Sequence, residues 1–323
     1  MVELQRLEHA LLHSLQGEVR FDKGMRAAYA ADASNYRQVP IGVVLPRSVE
    51  DIVAAMRLCA EHGVPVLPRG GATSLNGQCV NVAVVIDCSK YLDRVLAIDP
   101  AARLARVEPG VVCDALRDAA EKHALTFGPD PATHSRCTLG GMIGNNSCGA
   151  HSVMAGMTVD NIERLEVLTY DGARFWCGPT SKDEKLTGAQ AEIYGKLKAI
   201  ADKYAGHIRA GFPKIKRRVS GYNLDQLLPE NGFNVARALV GSEGTCALTL
   251  QAEARLVKSP QKRVLVVLGF PDIYAAGDAV PRVLASGPIA CEGLDEQIIG
   301  GLRERKLRLE DIKLLPEGKA WLM

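Results

Sequence analysis

The sequence predicts an α+β protein, and three observations carry that reading. Of its 323 residues, 47% are hydrophobic, enough for two packed cores or for one large α/β unit with an appendage. Residues 41–68 read as strand–helix–strand. Further on, apolar runs read as half-buried strands and a hairpin, and the pattern resets at Ser259-Pro260.

Taken in order, Leu4, Leu7, Leu11, Leu12 and Leu15 recur at helical spacing and predict an amphipathic helix over 3–16. "IGVVLP" (41–46) predicts a strand ended by proline. In the helix that follows, Ser48 is the expected N-cap and Val49, Ile52, Val53, Met56 and Cys59 form the stripe, with Gly63 as the stop. "VPVLP" (64–68) and "VAVVIDC" (82–88) read as strands. "ARLARVEPG" (102–110) alternates as a half-buried strand should, and "VCDALRDAAEKHA" (112–124) reads as a helix. Residues 162–177 predict a hairpin turning at Asp171-Gly172, residues 181–208 are polar then helical, and 236–257 ends in strands. Beyond 260 a new β-α-β unit begins, and "GKAWLM" is expected to end the chain before that unit closes a sheet.

Composition excludes several classes of function. A net charge of +2 and an aromatic content of 5% argue against a nucleic-acid surface. The densest basic run, Lys214-Ile215-Lys216-Arg217-Arg218, reads as a solvated segment. Nine cysteines occur with no C-x-x-C spacing, so the chain carries no zinc-knuckle or iron–sulfur pattern, and reduced thiols are expected. Charges interrupt residues 1–20, and no apolar stretch is long enough to span a bilayer. The expected location is cytoplasmic, with peripheral attachment at the inner membrane left open.

The chemistry concentrates in three glycine-rich stretches. "PRGGATS" (68–74) follows a strand, where open α/β sheets tend to place ligands. Consecutive Gly70-Gly71 permits positive φ, so that successive amides line one concavity with Thr73 and Ser74 beside them. Neither a Walker loop nor G-x-G-x-x-G is present. A tight turn remains an equal reading of this stretch alone. Residues 128–161 alternate Gly128, Gly140, Gly141, Gly144, Gly149 and Gly156 with Thr138, Asn145, Asn146, Ser147 and Ser152, uncharged donors lying among packed apolar residues. The third stretch, "VGSEGTCALT" (240–249), reads as a turn between two apolar strands.

In this order and at these separations, the three stretches resemble the FAD-binding domain of the vanillyl-alcohol oxidase, or PCMH, type. More narrowly they resemble its D-2-hydroxy-acid branch: D-lactate dehydrogenase, the glycolate oxidase flavin subunit and D-2-hydroxyglutarate dehydrogenase. "DASNYRQVPIGVVLPRSVEDI" (32–52) and "GGMIGNNSCGAHSVMAGMTVDNI" (140–162) carry much of the likeness. The resemblance implies two mixed α/β lobes clasping FAD over 36–259, after an N-terminal helical extension (1–35) and before the start of a ferredoxin-like cap (260–323). It implies that Pro68, Arg69, Gly70, Gly71, Ala72, Thr73 and Ser74 wrap the FAD pyrophosphate. Pro129, Asp130, Ser135, Thr138, Gly141, Gly144, Asn145, Asn146, Ser147 and Cys148 would line the ribityl chain and flavin edge. Asp160, Ile162, Glu243 and Gly244 would contact the adenosine half or close the pocket. Thr73 stands where covalent relatives have histidine, so the FAD is expected to be non-covalent.

The implied reaction is hydride transfer from C2 of a D-2-hydroxy acid (D-lactate, D-2-hydroxyglutarate or glycolate) to flavin N5. The resemblance places a histidine-held metal and a catalytic histidine in the carboxyl-terminal half of relatives, whereas the last histidine here is His207. No metal site is therefore expected in this chain. The reading is a truncated member supplying the FAD site, with the electron acceptor or an iron–sulfur partner domain outside the chain. Two alternatives stand beside it: an FAD-binding subunit without turnover of its own, and an NADPH-dependent FAD reductase of the peptidoglycan pathway type. Arg37 is the candidate substrate anchor. Tyr36, His134 and His151 read as packing residues, since the glycine-rich segment offers neither histidine an evident carboxylate partner.

Overall fold

A computed structural model describes residues 2–179 and 186–323. The polar start of the 181–208 segment, through Lys185, lies outside the described residues.

The first layer is built from three helices, α1 (Val2–Ser14), α2 (Lys23–Ala28) and α3 (Val49–Glu61), and four strands, β1 (Glu18–Arg20), β2 (Gly42–Leu45), β3 (Val66–Arg69) and β4 (Val84–Asp87). The sheet order is β1-β2-β4-β3; β2, β4 and β3 run parallel and β1 antiparallel. The Ser48 hydroxyl caps α3 by accepting from the Asp51 amide at 3.2 Å, as expected. β2 and β4 are apolar and buried on both faces, as strands of a covered parallel sheet are. Val44, Val84 and Ile86 pack with Leu7, Leu11 and Ile52 of α1 and α3 on one side. Val43, Leu45 and Val85 meet Met25 and Tyr29 on the other.

The second layer contains β5 (Val95–Asp99), β6 (Leu104–Val107), α4 (Cys113–Glu121), β7 (Leu125–Thr126), α5 (Leu139–Asn145), α6 (Ser152–Ala155), β8 (Ile162–Leu168) and β9 (Arg174–Cys177). It continues with α7 (Gly188–Gly211), α8 (Val235–Leu239), β10 (Leu248–Arg255) and β11 (Val257–Lys258). Its antiparallel sheet has the order β5-β6-β10-β8-β9, while β7 pairs with β11. Leu248, Leu250, Ala252 and Ala254 alternate inward along β10. Leu168, Leu248 and Leu250 share a core with α3 and β4, so the two layers are packed into each other.

Two expectations are corrected here. The 240–249 stretch does not join two strands, because Asn234 accepts from the Arg237 amide at 3.0 Å and caps the short helix α8 ahead of it. The final segment also closes a sheet after all. β12 (Leu268–Phe270), α9 (Ile273–Leu284), β13 (Gly293–Asp295), α10 (Glu296–Glu304) and α11 (Leu309–Ile312) lead to β14 (Ala320–Leu322), which lies between β12 and β13 and pairs antiparallel with both. Among the described residues, no helix is long and apolar enough to cross a membrane.

Candidate functional site: a glycine-walled crevice

β3 ends at Arg69, and the chain leaves the sheet beside the start of α5. The Arg69 guanidinium turns back into the protein, donating to the carbonyls of Tyr29 (3.1 Å), Ala31 (2.8 Å) and Cys79 (2.9 Å). It lies 4.9 Å from the centroid of the Tyr29 ring. Its work is to fix the loop that follows.

In that loop, none of the amides of Gly70, Gly71, Ala72, Thr73 and Ser74 donates to a protein acceptor among the described residues. The positive φ expected of the glycine pair falls instead on Ala72, at 52°. The glycines answer a different need, which is close approach. A Cβ on Gly70 would sit 2.0 Å from Thr138 Oγ1, and one on Gly71 would sit 2.3 Å from the Arg136 carbonyl oxygen. The first and second glycine-rich stretches are thus in main-chain contact.

Thr138 opens α5, accepting from the Gly141 amide at 3.4 Å. Asn146 ends it in the left-handed conformation (φ 54°), with Oδ1 accepting from the Val159 amide at 3.0 Å and Nδ2 donating to the Arg218 carbonyl at 3.4 Å. The third stretch docks on the same helix. The Gly241 amide donates to the Ile143 carbonyl (2.9 Å), and the Glu243 amide donates to that of Gly144 (3.0 Å). Asn145 Nδ2 donates to the Glu243 carboxylate at 3.0 Å. Burial pushes the Glu243 carboxyl above its ordinary range, against the hydrogen bonds from Asn145 and Gln78.

Between these walls lie two adjoining cavities, which share Gly70, Ser74, Gln78, Cys79, Thr138 and Gly141. Residues 68–74, Thr138, Gly141, Gly144, 145–148, Glu243 and Gly244 line them, so most of the expected cofactor residues converge.

Others do not. Pro129 is buried, and its carbonyl faces Cys113 Sγ at 3.6 Å. Ser135 is exposed, Asp160 accepts from the Met157 amide at 2.9 Å, and Ile162 lies in the core. Asp130 pairs with His151 Nδ1 at 2.7 Å, and Asp114 pairs with His134 Nδ1 at 2.7 Å. Each histidine therefore does have a carboxylate partner, which sequence alone did not reveal. Arg37 has an exposed side chain outside the crevice, and Tyr36, expected to pack, is 63% exposed, with only its ring edge against Gly77. Gln78, Val167, Leu239, Ser242 and Arg217 line the crevice without having been singled out for it. Gln78, at the end of the opening glycine stretch, and Ser242, inside the third, carried a signal in their positions.

The donor set fits a dinucleotide. Five unpaired amides beside the Thr73, Ser74 and Thr138 hydroxyls suit a diphosphate, and the second cavity has no carboxylate in its lining among the described residues. Comparison with known proteins agrees. Residues 40–178 match the family described as FAD binding domain.

Over these residues the chain is similar to an FAD binding domain.

The chain is 31% identical over 294 residues to a D-2-hydroxyglutarate dehydrogenase of Pseudomonas putida, covering 88% of this chain and 29% of that protein. It is 28% identical over 291 residues to glycolate oxidase subunit GlcD of Bacillus subtilis, covering 88% of this chain and 52% of the subunit. The chain thus spans between about a third and a half of the length of these relatives. Among solved structures, alkyldihydroxyacetonephosphate synthase superimposes with a TM-score of 0.68 at 19% identity, over 98% of this chain and 58% of that one. That likeness fixes the two-lobed fold. The FAD binding domain match ends at Cys177-Gly178, so the Ser242–Gly244 wall lies beyond it and is supplied by the chain after α8.

Proposed function

We propose that this chain forms the FAD site of an oxidoreductase that converts a D-2-hydroxy acid to the 2-oxo acid. The observation that carries the reading is the run of five unpaired amides, Gly70 to Ser74, opening into a crevice completed by Thr138–Cys148 and Ser242–Gly244. FAD, when bound, supplies an acceptor for the hydride leaving C2 of the acid. This chain's residues perform the holding. The amides and the Thr73, Ser74 and Thr138 hydroxyls bind phosphate oxygens, and Gly70 and Gly71 let the two walls meet. Val167, Leu239, Ala247 and Leu248 give the first cavity an apolar wall that excludes water. Thr73 presents no ring nitrogen for a covalent link, in keeping with dissociable cofactor.

The hydroxy-acid substrate is supported by what the relatives' names state, D-2-hydroxyglutarate and glycolate. Residues 36–259 would form the cofactor unit and 260–323 the start of a cap over the flavin face. Reoxidation would pass to an electron acceptor or iron–sulfur partner outside these residues, in the cytoplasm.

The test is the visible spectrum of the purified protein, taken anaerobically before and after D-lactate, D-2-hydroxyglutarate, glycolate or NADPH. A yellow protein bleached by one of the acids bears the reading out. Persistent yellow with every acid assigns a cofactor-holding subunit, and bleaching by NADPH alone assigns a reductase. A colourless protein that takes up no added FAD overturns the proposal.

A further inference from the structure

Among the described residues, the second cavity has one cation in its lining, Arg217, and the cradle of amides leaves that cation unexplained. Arg217 belongs to the basic run that reads as solvated surface. Its neighbour Arg218 is fully engaged, donating to Asn223 Oδ1 (3.0 Å) and Asp225 Oδ1 (2.6 Å) and lying 4.3 Å from the Phe212 ring centroid. Asn223 Nδ2 in turn donates to the Val240 carbonyl at 2.7 Å, and the Arg218 carbonyl accepts from Asn146 Nδ2 at 3.4 Å. The segment is therefore pinned to the end of α5 and to the third wall, which sets Arg217 and Val219 in the lining of the crevice together with Thr73 and Ser74. Among the described residues, the Arg217 guanidinium has no hydrogen bond, ion pair or ring contact.

A guanidinium presents paired donors matched to two oxygens of one anionic group. Arg217, exposed, shares this lining with the unpaired amides and hydroxyls of residues 70–74, and among the described residues no carboxylate lines the cavity to compete for it. We propose that Arg217 is an anion-binding residue of this crevice, taking the oxygen pair of a phosphate or a carboxylate. The proposal rests on the crevice being the dinucleotide site. It adds that the basic run contributes one specific contact there and is not merely solvated. Two sources share the chemistry: the diphosphate of the cofactor and the carboxylate of the hydroxy acid.

Arg217→Gln, Arg217→Lys and, as a control on the same run, Lys214→Gln would be titrated after circular dichroism has established that each is folded. Binding of FAD, riboflavin and ADP to protein stripped of flavin is followed by fluorescence and calorimetry. Oxalate, a redox-inert dicarboxylate, is followed by its perturbation of the bound flavin band. A phosphate contact predicts that Arg217→Gln weakens FAD and ADP by about tenfold or more, as expected for a charge-assisted pair. Riboflavin would be unaffected and Arg217→Lys intermediate. A carboxylate contact predicts unchanged FAD and ADP and a similar loss for oxalate. Either result supports the assignment and names the source. If every constant of Arg217→Gln stays within about twofold of Lys214→Gln, the assignment is overturned. Wild-type protein that binds ADP but not FAD sinks the cofactor reading instead, while the ADP arm still tests Arg217.

Discussion

Gly70 is where a single atom decides the shape of the crevice. An added methyl would fall 2.0 Å from Thr138 Oγ1, well inside van der Waals contact, so Gly70→Ala must push the 70–74 loop away from α5. Overpacking of this kind costs roughly 1–3 kcal/mol, and cofactor affinity should fall with it. Thr138→Ala removes the obstructing oxygen and by itself costs about 1 kcal/mol through loss of the α5 cap. The double variant should therefore be more stable than the sum of the two single changes, by roughly 1 kcal/mol in urea unfolding. Strict additivity would show that the two walls do not touch. The glycine pair was legible as part of the site, through the positive φ it permits. Its partner was not, because nothing in residues 68–74 says that the atoms they meet are 136–138.

At the scale of elements, α3 shows what holds a site-bearing sheet in register. Asp51 is buried in its first turn, and its carboxylate accepts from the amides of Gln16 (2.9 Å) and Arg47 (2.9 Å). One side chain thereby ties the exit of α1 to the turn after β2. Asp51→Ala should destabilise the protein by roughly 2–3 kcal/mol, since two amides lose a charged acceptor; Ser48→Ala should cost only about 1 kcal/mol. Equal effects in thermal melts would mean that Asp51 acts only at the helix cap. The pattern of Val49, Ile52, Met56 and Cys59 was enough to place this helix in advance. β1 and β14 escaped because three-residue strands offer no period to detect, and they form only where a neighbouring strand supplies the pairing. α8 escaped because five residues of "VARAL" are as apolar as a strand. Arg217 escaped because a basic run reads as solvated until the chain around it is pinned.

The molecule as a whole is organised by the core that its two layers share. Leu168, Leu248 and Leu250 leave the antiparallel sheet to pack with α3 and β4, so neither layer keeps its interior without the other. The nine cysteines, all free, report on this. Burial pushes the thiols of Cys59, Cys88 and Cys177 up to about 12, whereas Cys246 is exposed. In the folded protein at pH 8, iodoacetamide should modify Cys246 first and leave those three untouched. As urea is raised, Cys59 and Cys88 of the shared core and Cys177 of the antiparallel sheet should become reactive at one midpoint. Two separated midpoints, read by mass spectrometry, would show the layers to be independent.

The central place of β10 has a consequence for synthesis. Its residues pair on one side with Leu104–Val107 and on the other with Ile162–Leu168. A chain emerging from the ribosome can form the parallel sheet early, but the antiparallel one must wait until residue 255 has cleared the exit tunnel. The wall at 242–244 arrives only just before it. Cofactor loading then has to follow the synthesis of residue 255, and flavin starvation should leave chains elongated past that point to the proteases.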